Sequence, residues 1–133
     1  MVNKKHLVMV PGRAYAPGSD SAKRYKESVR LAALAKIRRP LQGSLFIKVH
    51  YYYSDSKHRV DGDNLLKIVC DALKGVAYGD DSQIDSHQVE RVNTSSSTVI
   101  TDIPTPSLWD YIEQQAFVII EVGELSEVQR YTT

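Results

Sequence analysis

The sequence predicts a single α+β domain, a mixed β-sheet packed with helices in the order β-α-β-α-β-β-α-β. Three observations lead there. At 133 residues and 42% hydrophobic composition the chain fits one domain with a real core. Strand-like and helix-like apolar periodicities alternate along it. Neither a long linker nor an internal repeat divides it, so residues 1–133 read as one unit, with 124–133 as a loose tail.

His6–Val10 (HLVMV) is short, apolar and closed by Pro11-Gly12, which predicts a buried strand. After the loop PGRAYAPGSD, Asp20 is placed to cap a helix reaching about Ile37, with Tyr25, Val29, Ala32, Ala33 and Leu34 toward the core. Lys23, Lys26 and Arg30 share its opposite face; with Lys36, Arg38 and Arg39 they make the densest basic region, and Pro40 ends the helix. Leu45–Tyr53 (LFIKVHYYY) alternates as a strand with one drier face. SDSKHR then turns the chain into a second helix, begun after Asp63 and stopped at Gly75. At 100° per residue Leu65, Ile68, Val69, Ala72 and Leu73 fall on one side of it. VAYGDDSQ reads as a loop, Ile84–Val92 as a weakly patterned strand, and Thr98–Asp102 as its hairpin partner. Thr105-Pro106 opens a short helix through Trp109 and Ile112, and Ala116–Val122 is the last buried strand.

Net charge is +1, yet residues 1–60 hold 13 Lys and Arg against 3 acids, and residues 61–133 hold 4 against 13. That asymmetry suggests a surface for a polyanion beside a pocket for a cation. No apolar window approaches the roughly 20 residues of a membrane span and no secretory signal opens the chain, so a soluble, cytoplasmic protein is expected. Cys70, the lone cysteine, reads as a buried thiol rather than a nucleophile. Tyr51-Tyr52-Tyr53 and Trp109 read as packing residues, and His50, His58 and His87 lack metal-ligand spacing.

The chemistry concentrates in VDGDNLLKIVCDALKG, residues 60–75, and in Asp80-Asp81 beyond it. Two readings compete for these acids. In one, Asp63 is a helix N-cap, Asp61 is favoured by the helix dipole, and Gly-Asp-Asp-Ser is ordinary turn chemistry. In the other, the acids meet around a divalent cation. Mg²⁺ takes oxygen ligands from a few carboxylates and keeps waters that a phosphate can displace. Lys67, four residues after Asp63 on the same face, either pairs with Asp71 or turns its ammonium toward a scissile phosphate. Asn64 caps, or steadies a carboxylate from behind. Lys23, Arg24, Lys26, Arg30, Lys57 and Arg59 are the expected phosphate contacts.

The run D61-G-D63-N64-L-L-K67-x-x-x-D71-A72-L73-x-G75, followed by D80-D81-S-Q-I84, resembles the signature of the RusA family of Holliday-junction resolvases. A less specific upstream likeness lies in GRAY, Tyr25 and Val29-Arg30. The resemblance implies a RusA-like fold and a homodimeric, Mg²⁺-dependent endodeoxyribonuclease, with Mn²⁺ as a substitute, that nicks four-way DNA junctions symmetrically. It needs no organic cofactor and no membrane. Asp61, Asp63 and Asp81 match the family's three essential acids and metal ligands, Lys67 its catalytic lysine, and Asp80 the first acid of the downstream pair. Val60 stands where members often have Pro, and Gly62 where they carry a larger residue, which bears on loop rigidity.

Other classes remain as alternatives. A nuclease of broader taste for branched DNA shares every feature above. A phosphohydrolase or nucleotidyl transferase would be expected to show a Gly-rich phosphate loop. A DNA-binding module without catalysis would leave the acids as caps, and a calcium module lacks the EF-hand ligand spacing.

Overall fold

A computed structural model describes residues 5–95 and 116–125. Its elements are β1 (Lys5–Pro11), α1 (Asp20–Lys36), β2 (Leu45–Tyr53), α2 (Gly62–Leu73), β3 (Ile84–Asn93) and β4 (Phe117–Glu124), with 3-10 turns at Ser56–His58 and Asp81–Gln83. The strands form one mixed sheet in the order β1-β4-β2-β3. β4 is antiparallel to both β1 and β2, whereas β2 and β3 run parallel. Parallel neighbours need a crossover, and α2 is that crossover. The fold is therefore the expected α+β arrangement. The hairpin partner at 98–102, the Trp109 helix and the tail from 126 onward lie outside the described residues.

Both helices cover one face of the sheet. Val29 and Ala33 of α1, with Leu65, Ile68, Val69, Ala72 and Leu73 of α2, bury against Val8, Val10, Ile47, Val49, Val118, Ile120 and Val122. All five positions predicted for α2 are thus in the core. On α1 the prediction is half right: Leu34 is 44% exposed and Ala32 only partly buried, while Ala22 is buried instead. The α1 cap also differs. Ser19, not Asp20, accepts the Ala22 amide through its hydroxyl at 3.0 Å, because its backbone is still extended while Asp20 is already helical.

β2 departs from the one-dry-face expectation. From Val49 to Tyr53 every residue is buried, since a second apolar cluster of Tyr52, Val92, Phe117 and Ile119 forms on the far face. Tyr52 stacks on Phe117, its register partner in β4, at 4.8 Å between ring centroids. On that same face the buried His50 imidazole meets Glu121 at 2.7 Å, and Lys5 meets the other carboxylate oxygen at 3.0 Å. Burial would raise the Glu121 pKa, but those two partners more than offset it and hold the carboxyl below its usual range.

The end of α2 decides where the second acidic pair goes. The Lys74 amide closes the helix on the Cys70 carbonyl, and Gly75 then turns at φ +86°, a region that a side chain would strain. Val76 and Ala77 both donate back to the Leu73 carbonyl, and the fully buried Tyr78 donates its hydroxyl to the Cys70 carbonyl at 2.8 Å. The chain reverses within about one helical turn and β3 starts back along α2.

Candidate active site

The segment ahead of the first acids is pinned from three sides. Tyr51, at the end of β2, accepts the Ala14 amide at 3.1 Å and donates to the His58 carbonyl at 2.7 Å. Val60 is buried, and Arg91 of β3 donates to its carbonyl at 3.2 Å. A residue without proline's restraint is thereby held in place just before Asp61.

Asp61 is the N-cap residue of α2, yet its side chain makes no capping hydrogen bond. The helix begins at Gly62, two residues earlier than expected, so Asp63 sits inside the first turn and is not the cap. Among the described residues neither carboxylate has a hydrogen bond or an ion pair, and both are exposed at the positive end of the helix dipole. Asp63 is therefore not the cap, and the reading that survives of the pair's structural role is the helix dipole's pull on both carboxylates. Lys67 is exposed one turn further on, and no ion pair to Asp71 forms. Asn64 is exposed beside it.

The downstream pair divides its labour. Asp80 caps the 3-10 turn Asp81–Gln83 in a reciprocal capping box with Gln83, and Lys74 approaches it at 3.5 Å. The Ser82 side chain and amide, helped by Lys74, hold the Asp80 carboxyl below its ordinary range. Asp81 is left exposed, and it turns toward the helix rather than away: its charge bears on both Cys70 and Tyr78.

These pieces enclose an open cleft of about 370 Å³ between one face of α2 and the start of β3, lined by Asp63, Leu66, Lys67, Cys70, Asp81, Ile84 and His87. The structure thus brings Asp63, Lys67 and Asp81 to one site. Asp61 does not line it, and no three acid, His or Cys side chains among the described residues form a metal-holding group. The reason is helical: Asp63 and Cys70, the neighbour of Asp81, are seven residues and so about 10 Å apart along the axis. Lys67 lies between them. The donor chemistry still suits Mg²⁺, with hard carboxylate oxygens free of capping duty around an open cleft.

Cys70 is half-buried in the cleft wall rather than in the core. Burial pushes its thiol up to about 11, Tyr78 acts against that, and the Asp81 and Asp71 charges add to it. A thiol so protonated at neutral pH is no nucleophile. The predicted phosphate contacts Lys23, Arg24, Lys26 and Arg30 are exposed on α1, where Arg30 pairs with Glu27 at 3.3 Å. Lys57 and Arg59 are exposed in the turn that precedes Asp61.

Sequence reasoning missed His87, which lines the cleft because β3 runs back along α2. It also missed Gln83. That side chain accepts the Gly79 and Asp80 amides at 2.9 and 3.1 Å and donates to the Leu41 and Gly43 carbonyls at 3.2 and 3.1 Å. It bolts the turn carrying Asp81 to the loop after α1. The signal was legible as Asp80-x-x-Gln83, a capping-box spacing. Gln83→Ala should lower stability by about 1–2 kcal/mol in denaturant unfolding, and should slow any reaction that depends on Asp81. Unchanged stability would mean that water replaces the four bonds at no cost.

A family model described as "Endodeoxyribonuclease RusA" matches residues 3–103 of the chain. No curated protein matches it.

Proposed function

The chain belongs to the RusA endodeoxyribonuclease family, and we propose that it resolves four-way DNA junctions by paired, symmetrical, Mg²⁺-dependent nicking. The observation that carries this reading is the cleft that Asp63 and Lys67 of α2 line together with Asp81 of the 3-10 turn that follows. Asp61, Asp63 and Asp81 are the residues to hold the cation, with Mn²⁺ as a substitute. When bound, the ion supplies charge neutralisation at the phosphate and a lowered pKa for the attacking water.

The protein's own groups do the rest. Lys67 offers a compact ammonium between the acids, where it offsets the charge that builds on the phosphate as the bond breaks. Tyr78 and the capping box set the position of Asp81, and Arg91 and Tyr51 set the approach to Asp61. Asn64 and Asp80 support the acids from behind. Lys23, Arg24, Lys26, Arg30, Lys57 and Arg59 hold backbone phosphates, which makes affinity fall with added salt.

A four-way junction has approximate two-fold symmetry, and a C₂ homodimer supplies two cleavage sites for it. Light scattering that gave a monomer mass at micromolar concentration would remove this part. The whole reading is tested by incubating protein and Mg²⁺ with a synthetic four-way junction or a linear duplex and mapping the nicks. Paired nicks in opposed strands of the junction, with the duplex intact, are expected. Equal cutting of flaps and forks would favour the broader branched-DNA nuclease, and binding without cutting in either metal would favour the non-catalytic module.

A further inference from the structure

A second cleft, of about 360 Å³, shares no lining residue with the first. Its walls carry His6 from β1, Lys36 from the last turn of α1, and Arg38 and Arg39 from the segment that follows. Among the described residues one acid, Glu124, faces them. Among the described residues Lys36, Arg38 and Arg39 make no ion pair or side-chain hydrogen bond. Three cationic side chains around a concavity outnumber the Glu124 carboxylate there, which raises the energy of the empty site, and an external anion relieves it.

The wall is also rigid. Ile37 and Leu41 are both buried, so the backbone between them turns Arg38 and Arg39 outward. The Leu41 amide donates to the Ala77 carbonyl at 2.7 Å, and Gln83 holds the Leu41 and Gly43 carbonyls. Guanidinium forks on a fixed backbone match phosphate oxygens, and little order must be imposed on them when an anion arrives.

We propose that this cleft binds backbone phosphates of a second stretch of the DNA substrate, apart from the stretch held at the cutting cleft. The assignment rests on the nuclease reading for the identity of the polyanion. It places two phosphate-binding surfaces on one copy, so that a single protomer can hold two stretches of a branched substrate. Through Gln83 the second surface is joined to the turn that carries Asp81.

The test compares the wild type with R38A/R39A, measuring four-way-junction affinity by fluorescence anisotropy in EDTA over a range of salt. The double variant should bind about 10-fold more weakly at 0.1 M salt, with the slope of log K against log [salt] shallower by about 2. R38K/R39K should keep the wild-type slope, which separates charge from folding. An unchanged affinity and slope in R38A/R39A overturns the proposal. So does thermal stabilisation by inorganic phosphate that the double variant loses while its DNA affinity is intact, since the cleft would then serve a free anion. The binding measurement needs no cutting, so a wild type that binds but never nicks sinks the nuclease reading alone.

Discussion

Asp63→Asn should cut a four-way junction about 10³-fold more slowly than the wild type under single-turnover conditions, while binding the junction within about a factor of two. The carboxylate is exposed, has no hydrogen bond or ion pair among the described residues, and does not cap α2, so its loss costs the fold no more than its favourable place at the start of the helix dipole. What it removes is one hard anionic ligand at the edge of the cleft. Asparagine keeps the size and a carbonyl oxygen but not the charge that draws a divalent cation. Loss of binding and of thermal stability along with cutting would assign Asp63 a folding role that its surroundings do not suggest.

Lys67→Ala should reduce the same rate by about 10²- to 10³-fold, with a smaller effect on affinity. Lys67 lies one turn from Asp63 on the cleft face of α2 and makes no ion pair with Asp71. An ammonium with no ion pair among the described residues acts on whatever enters the cleft. Its benefit grows as the phosphate gains charge, so the loss falls on the rate rather than on binding. Lys67→Arg should recover only part of the activity, since a planar fork is not a point charge. Equal loss of affinity and rate would instead make Lys67 an ordinary phosphate contact.

Much of this was legible in the sequence, for reasons that differ by element. The buried side of α2 follows from helical spacing, because Leu65, Ile68, Val69, Ala72 and Leu73 meet the sheet whatever its strand order. Asp61, Asp63 and Lys67 were legible because chemistry that needs anions beside an ammonium spaces them within two helical turns. The return of Asp81 was not legible. It depends on the Gly75 turn and on the Tyr78 bond to the Cys70 carbonyl, neither of which periodicity encodes. The two-sided burial of β2 likewise depends on Phe117 and Ile119 arriving beside it from a distant segment. The exposure of Leu34 and the cap at Ser19 show the limits of local rules, since the helix's rotation and its first residue are set by what it packs on.

The most direct test of a shared cation is a double-mutant cycle on Mn²⁺ binding, with Asp63→Asn, Asp81→Asn and both together titrated by calorimetry. One ion held by both acids predicts that each single variant loses at least about 10-fold in affinity, and that the double variant loses much less than the product of the two. Losses that simply multiply, or an Asp81→Asn protein that binds Mn²⁺ like the wild type, would mean that Asp63 and Asp81 line one cleft without sharing an ion.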